Sequence, residues 1–269
     1  METAINISPK TEKITTAACG CGSGGCGSGG CGCHPGAAEP LETDANIPAR
    51  FQVIQQGDRI VEFGSGTGSD ALTMARLTGS SGKVTGIDHS PENIRVAQRL
   101  LDQSGINNVE FRFGNIEDAP VADETADIIY ATCVFNLQQN RQRVADEMYR
   151  IVKHNGVVCV SDFVILEDIP DGLRKEASAF AGCIAGAEKV DVFMNYFRKT
   201  GFTEGGIVEV NKVRLPDEML GKYLSQGEMD EYNDLDSDKG IFSVVLVVEK
   251  PETCTPETCC HNPDKHKNN

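Results

Sequence analysis

Basic residues are scarce in this sequence relative to acidic ones. Its 269 residues include 25 Lys and Arg against 40 Asp and Glu, which gives a formal net charge of −15. Binding to nucleic acid or to an anionic membrane surface requires clustered positive charge that neutralises phosphates. We therefore expect neither nucleic acid nor a membrane among the partners.

Hydrophobic runs long enough to span a membrane are also lacking. The longest apolar run covers residues 242–248, whereas a membrane-spanning helix needs roughly 20 apolar residues. The N-terminus carries no apolar core of the signal-peptide type. These absences predict a cytoplasmic protein, which we also expect to be a monomer.

Cysteine, by contrast, is abundant and unevenly distributed. The eleven cysteines fall into three groups: Cys19, Cys21, Cys26, Cys31 and Cys33 near the start, Cys133, Cys159 and Cys183 in the body, and Cys254, Cys259 and Cys260 near the end. A disulfide framework is typical of small secreted domains, and this chain is neither small nor visibly secreted. Reduced thiols in a cytosolic protein are better explained as ligands for soft metals or metalloids.

Composition divides the chain into four segments. Residues 1–44 form a Cys-, Gly- and Ser-rich leader that has too little apolar surface to fold, so we predict a flexible segment. Residues 45–165 carry the pattern of a cofactor-binding core, and residues 166–250 that of a helical insertion followed by closing strands. Residues 251–269 lack apolar periodicity and are predicted to be a flexible, cysteine-containing tail.

Short apolar strands alternate with helices through the central part of the chain. Strands are predicted at 59–63, 83–88, 109–113, 126–131 and 157–163, and helices at 70–76, at 91–103 and in a segment that ends at Ile151. This alternation predicts a parallel, doubly wound (Rossmann-like) α/β sheet with helices on both faces. A ligand is then expected at the carboxyl ends of the strands.

The remaining part is predicted to be a C-terminal α+β extension. Residues 170–201 have a largely helical pattern, and residues 207–213 and 241–249 are predicted to form a closing antiparallel pair. The very acidic stretch 216–238 between them is predicted to be a solvated helical or loop face.

A glycine-rich turn follows the first predicted strand. Gly64, Gly66 and Gly68 are spaced as Gly-x-Gly-x-Gly, which is tighter than the dinucleotide fingerprint Gly-x-Gly-x-x-Gly. Glycine lets the backbone approach a cofactor closely. The second strand ends in Asp88, an acid that could accept hydrogen bonds from both hydroxyls of a cofactor ribose. A nicotinamide dehydrogenase is the structural alternative, and the glycine spacing argues against it.

These motifs resemble those of the class I S-adenosylmethionine methyltransferases. An acid precedes the glycines of that superfamily, as Glu62 does here, and residues 114–117 stand where its adenine-contacting turn lies. Residues 153–156 read Lys-His-Asn-Gly where the superfamily usually has Lys-Pro-Gly-Gly, a departure expected to affect loop geometry more than chemistry. The resemblance implies S-adenosyl-L-methionine as cofactor, bound by Glu62, Gly64, Ser65, Gly66, Gly68, Asp88, His89, Asn115, Ile116, Glu117 and Thr132.

Two further segments resemble the arsenite methyltransferases. Cys133 begins a Cys-Val-x-Asn-Leu segment after the fourth strand, and Cys183 lies in a Gly-Cys-Ile-x-Gly-Ala segment of the helical insertion. The resemblance implies that both cysteines bind arsenic(III) during the methylation of arsenite or its thiol conjugate, a detoxification reaction that uses a thiol reductant (glutathione or thioredoxin). Arsenic(III) is thiophilic and carries its own lone pair, so its methylation needs positioning rather than a general base.

The resemblance breaks at a third arsenic-binding cysteine of that family. Its Cys-Gly-Asn-Pro motif corresponds to residues 45–48, where the cysteine is replaced by Ala45. A third thiolate could come from Cys31 or Cys33 across a Gly-rich linker, or from a free thiol such as glutathione; alternatively, two thiolates suffice. Cys159, in the middle of a strand, is predicted to be a core residue.

Two other functions remain open from the sequence. A methyltransferase for another small acceptor, such as a quinone precursor or a different soft element, would not need Cys133 and Cys183. A thiol-rich metal-binding protein with an inert methyltransferase core would bind metal without turnover, and the intact glycines and Asp88 argue against it. The number of methyl groups added is left open as well.

Overall fold

One eight-stranded sheet organises the residues that the computed structural model describes, 51–179 and 181–252. Its strands are β1 (Arg59–Phe63), β2 (Lys83–Asp88), β3 (Val109–Phe113), β4 (Ala126–Thr132), β5 (Val152–Ile165), β6 (Glu188–Lys189), β7 (Glu204–Lys212) and β8 (Ile241–Glu249). The α-helices are α1 (Ser69–Thr78), α2 (Pro91–Ser104), α3 (Arg141–Ile151), α4 (Asp171–Ala177), α5 (Val190–Thr200), α6 (Asp217–Leu220) and α7 (Gln226–Asn233). In the described ranges, 3-10 helices also lie at Ile116–Asp118, Phe135–Leu137 and Gly182–Gly186.

The sheet is parallel except at one edge. Its strand order is β3-β2-β1-β4-β5-β8-β7, with the two-residue β6 paired to the end of β5. Strands β1 to β5 run parallel, and β8 is antiparallel to both β5 and β7. Parallel neighbours need crossover connections, which explains the alternation of strands and helices in the sequence. The predicted doubly wound α/β sheet and its closing antiparallel pair are confirmed.

Two apolar cores lie on opposite faces of the sheet. One contains residues of α1 and α2 together with Ile60 and Tyr130, and the other contains residues of α3 and α5 together with Val61 and Val160. Successive side chains of a strand point to opposite faces, so β1 supplies Ile60 to the first core and Val61 to the second. Helices therefore cover both faces, as predicted.

Strand β5 is longer than predicted and begins at Val152. Asn155 adopts the left-handed backbone conformation (φ 59°), which Asn tolerates better than most residues, and its N–H donates to the Lys250 carbonyl oxygen over 2.8 Å. At residues 153–156, which depart from Lys-Pro-Gly-Gly, Asn155 therefore supplies the left-handed backbone conformation. Its hydrogen bond to Lys250 keeps this segment attached to the sheet.

The segment predicted to be largely helical, residues 170–201, is interrupted. Between α4 and α5 the chain forms the 3-10 helix Gly182–Gly186 and strand β6. Tertiary contact accounts for the glycine here, because a Cβ on Gly186 would lie 2.1 Å from the carbonyl oxygen of Asn136. The insertion thus packs directly against the loop that follows β4.

The acidic stretch 216–238 is more than a solvated face. Its helices α6 and α7 carry Leu220 and Tyr232, which are buried in a third apolar cluster that also contains Ile165 and Ile241. The acidic side chains of the stretch are exposed. The prediction is correct for the charges, and it missed the buried apolar positions between them.

Some predictions fall on residues outside the described ranges. They concern the leader with Cys31 and Cys33, the substitution at Ala45, and the three cysteines of the tail. Within residues 51–179 and 181–252, none of the helices has the length and apolar character needed to cross a bilayer.

Candidate functional site

The glycine-rich turn between β1 and α1 has the backbone conformation that its glycines predict. Gly64, Gly66 and Gly68 all have positive φ angles, of 72°, 52° and 88°. The N–H groups of Gly64 and Ser65 donate to the Ile87 carbonyl oxygen, which closes the turn over β2. A Cβ on Gly66 would meet nothing within 4 Å, so open space lies above this glycine.

Asp88 fixes the other side of this space. It is 5% exposed, and its carboxylate accepts hydrogen bonds from the N–H of Gly66 (2.8 Å), the N–H of Ser90 (2.8 Å) and the side-chain amide of Asn93 (3.2 Å). The acid is thereby held between the glycine turn and the start of α2. His89 follows it with a side chain that is 80% exposed and whose Nδ1 lies 3.9 Å from Asp88.

The turn predicted to contact adenine follows β3. Asn115 accepts the N–H of Glu117 over 3.0 Å, which starts the 3-10 helix Ile116–Asp118, and Ile116 is buried in the core. The Glu117 carboxylate accepts the N–H of Asn140 over 3.1 Å and so ties this turn to the start of α3. The exposed side of the turn, at Asn115, is the part left for a ligand.

The remaining predicted cofactor residues lie on neighbouring strands. Glu62 is buried on β1, and Thr132 ends β4 opposite Ser161 of β5. The Ser65 hydroxyl is buried and has no hydrogen-bond partner among the described residues. The glycine turn, the buried acid and this hydroxyl fit a nucleoside-type cofactor that carries ribose hydroxyls.

Cys133 comes directly after β4 and beside the glycine turn. A Cβ on Gly64 would lie 2.6 Å from the side chain of Val134, the next residue. Cys133 itself has a φ of 52°, which costs a non-glycine residue about 1–3 kcal/mol and is typical of functional sites. Its N–H donates to the Ser161 carbonyl oxygen over 2.8 Å, which holds the residue in this conformation.

Cys183 is brought to Cys133 by the 3-10 helix Gly182–Gly186. It is a thiol with 2% exposure, and it hydrogen-bonds with Cys133 and with Asp162. The contact with Cys133 raises the pKa of the Cys183 thiol, and burial and the charge of Asp162 raise it further. Cys183 is therefore protonated at neutral pH. Cys159 is a buried core residue, as predicted.

Asp162 is a site residue to which the sequence motifs assigned no role. It is 1% exposed on β5, and its carboxylate accepts the N–H groups of Asn136 (3.0 Å) and Phe163 (2.9 Å). Burial raises the pKa of Asp162 to about 6, against the opposing effect of these hydrogen bonds and of the Arg141 charge. An acid near the end of a largely apolar predicted strand was the available signal.

Arg141 was also missed, and it joins the two cysteine-bearing segments. Its Nη2 donates to the carbonyl oxygens of Asn136 (2.8 Å) and Gly186 (3.0 Å), and its Nη1 lies 2.8 Å from Glu188. The fork of a guanidinium suits such a role, because it presents several donors in fixed directions. The position, at the start of α3, has no sequence signal beyond its charge.

A separate open groove lies between the end of β5 and α7. Most of its charged side chains are engaged within the protein: Lys189 pairs with Asp168, Glu228 caps α7, and Lys239 pairs with Glu231. We therefore place the site at the glycine turn and the two thiols. In the part of the chain described, no three His, Cys, Asp or Glu residues form a metal-type cluster.

The sequence is similar to those of known methyltransferases. It matches a family model described as "Methyltransferase domain" over residues 54–201. An arsenite methyltransferase from Halobacterium salinarum is 33% identical over 185 residues, which cover 69% of this chain and 46% of that protein. One from Aquipseudomonas alcaligenes is 34% identical over 178 residues, which cover 64% of this chain and 51% of that protein. The chain thus spans about half the length of these relatives.

A solved structure has the same fold. It is an arsenic(III) S-adenosylmethionine methyltransferase from Chlamydomonas reinhardtii, with a TM-score of 0.60 and 27% sequence identity, over 76% of this chain and 66% of that chain. The predicted fold and the resemblance to arsenite methyltransferases are confirmed by these similarities. The roles of individual residues stay predictions.

Proposed function

This chain belongs to the methyltransferase-domain family, and we propose that it transfers the methyl group of S-adenosylmethionine to arsenic(III) held by Cys133 and Cys183. One observation carries the proposal: two thiols, far apart in sequence, meet beside the glycine turn. The arsenite methyltransferases among its relatives support the same substrate.

The cofactor would occupy the space bounded by the glycine turn and Asp88. Asp88, already fixed by Gly66 and Ser90, would accept the ribose hydroxyls. The turn at Asn115 would face the adenine, and Glu62, His89 and Thr132 complete the predicted surroundings. When bound, S-adenosylmethionine supplies a methyl group on a sulfonium sulfur, which an acceptor with a lone pair can take.

The two thiols would bind arsenic by ligand exchange. Arsenous acid has three hydroxyl groups, and two of them would leave as water with the protons of the Cys133 and Cys183 thiols while two As–S bonds form. No base is consumed, which suits a Cys183 thiol whose pKa is raised. Arsenic keeps its lone pair, and the contribution of the protein is to position it near the cofactor.

The origin of a third arsenic ligand is a further proposal. Cys31 or Cys33 of the leader would supply it, with an external thiol such as glutathione as the alternative. A thiol reductant, glutathione or thioredoxin, would return the arsenic to the trivalent state after methylation and so support repeated turnover in detoxification. Arsenite affinity of a Cys31→Ser, Cys33→Ser double variant tests the leader, and unchanged affinity would favour the external thiol.

The decisive test of the function uses purified protein, arsenite, S-adenosylmethionine and glutathione. We expect methylarsenicals by chromatography, their loss in Cys133→Ser and Cys183→Ser, and their retention in the core variant Cys159→Ser. Absence of methylarsenicals with the wild-type protein would contradict the function. Full formation of methylarsenicals by Cys133→Ser would instead refute arsenic binding by Cys133 and leave arsenic methylation itself standing.

A further inference from the structure

Three consecutive residues of β5 hold the segment that follows Cys133. The Ser161 carbonyl oxygen accepts the Cys133 N–H over 2.8 Å, and the Asp162 carboxylate accepts the Asn136 N–H over 3.0 Å. The Phe163 carbonyl oxygen accepts the Asn136 side-chain amide over 2.7 Å. The end of β5 therefore helps to fix the position of Cys133 and of the loop that follows it.

The segment that carries Cys183 reaches the same point. The Cys183 thiol hydrogen-bonds with Asp162, and Arg141 bridges the carbonyl oxygens of Asn136 and Gly186. Asp162 thus contacts one segment through a backbone N–H and the other through the thiol itself. It is 1% exposed, so water does not compete for its oxygens.

We propose that Asp162 is a positioning residue that holds the Cys133 and Cys183 sulfur atoms together for arsenic(III); this rests on the proposed function above. A carboxylate suits the position because three donors converge on it: the N–H groups of Asn136 and Phe163 and the Cys183 thiol. An amide of the same shape has one acceptor oxygen, and its NH₂ group would face another donor. A buried acid costs stability unless its hydrogen bonds are made, and here the two N–H groups and the thiol supply them.

The test compares Asp162→Asn with Lys250→Met. Lys250 is also a buried charge with several partners, and it bonds to Tyr149 and Val152 at the opposite end of β5. It therefore controls for loss of stability without contact with the thiols. If Asp162→Asn does not fold, Asp162→Ser replaces it, because serine removes the charge and keeps a hydroxyl acceptor.

Two readouts are measured on the full-length protein variants. The first is the yield of the Cys133–Cys183 peptide bridged by dibromobimane, a reagent that links neighbouring thiols, determined by mass spectrometry without arsenic. The second is calorimetric affinity for arsenite and, separately, for S-adenosylhomocysteine. For Asp162→Asn we expect about tenfold lower bridging and arsenite affinity, with S-adenosylhomocysteine affinity within about twofold of wild type. Lys250→Met should change none of the three.

The outcomes separate the two proposals. Unchanged bridging in Asp162→Asn, or an equal loss in Lys250→Met, would overturn the positioning role. Reduced bridging in Asp162→Asn together with a wild-type protein that neither binds nor methylates arsenite would leave the positioning role standing and overturn the proposed function. Equal losses of arsenite and S-adenosylhomocysteine affinity would indicate general disruption and also count against positioning.

Discussion

The N–H of Gly66 donates to the carboxylate of Asp88 over 2.8 Å, and this bond joins the glycine turn after β1 to the acid at the end of β2. The two motifs are separate in sequence and form one structural unit. Three donors within the protein already orient the carboxylate, so its direction is set before any ligand binds. A preorganised acceptor loses little freedom on binding, which favours affinity.

Replacement of this acid should abolish tight cofactor binding. In Asp88→Asn, the amide NH₂ would face a backbone donor and the charged acceptor for ribose would be lost. We expect affinity for S-adenosylhomocysteine to fall by about tenfold to a hundredfold, as for a hydrogen bond to a charged group. Asp58→Asn is the control, because Asp58 accepts the Gln55 N–H at the other end of β1. Equal calorimetric affinities for the two variants would contradict this assignment.

Alanine variants of two glycines distinguish the effect of backbone strain from the effect of filling the cofactor space. Gly66 and Gly105 both have positive φ angles, of 52° and 69°, and at both a Cβ would meet nothing within 4 Å. Alanine at either position should cost about 1 kcal/mol of folding free energy. Only Gly66→Ala should also lower S-adenosylhomocysteine affinity, by about tenfold, because its methyl group enters the cofactor space. A Gly105→Ala variant with the same loss of affinity would show that strain alone is responsible.

Lys250 should matter for stability and not for the site. Its ammonium group donates to the carbonyl oxygens of Tyr149 and Val152, each over 3.0 Å, and lies 4.7 Å from the centre of the Tyr149 ring. Lys250→Met would leave these buried oxygens without a donor and should reduce the free energy of unfolding by about 3 kcal/mol.

Chemical denaturation measures this loss, with the more exposed Lys153→Met as control. Lys153 pairs with Asp127 at the surface, so its replacement should cost less than about 1 kcal/mol. Similar losses for both lysines would argue against the buried network around Lys250.

Asp162 should make stability depend on pH. Burial raises its pKa to about 6, so its contribution to folding is greatest below its unfolded pKa near 4 and is lost as pH rises through about 6. Of the groups around it, Arg141 contributes a charge that opposes the effect of burial, and Cys183, with its raised pKa, stays protonated in this range. Asparagine does not titrate.

Between about pH 4 and pH 7, the free energy of unfolding of wild type should therefore fall by about 3 kcal/mol relative to that of Asp162→Asn. Denaturation curves at several pH values measure this shift. A constant difference across the range would mean that Asp162 titrates as an exposed acid does.

Much of the fold could be predicted from the local pattern of apolar and turn residues in the sequence. The bounds of β1, β2, β3 and β8 match the predicted ones, because short apolar runs end at turn residues. Prediction was weaker where tertiary contacts compete with local preference. Residues 182–189 do not form the predicted α-helix because the chain packs closely against Asn136 at Gly186. The spacing of apolar residues along the sequence does not reveal that contact.

The sequence by itself determined the parallel sheet, the conformation of the glycine turn, the acid at Asp88 and the two cysteine-bearing segments. Each depends on neighbouring residues, whose spacing and backbone preferences are local properties. Only the tertiary structure decided that Cys133 and Cys183 touch, and that Asp162 and Arg141 hold their segments together. These contacts join residues distant in the chain, and they arise because parallel strands bring their carboxyl ends, with the loops that follow, to one edge of the sheet.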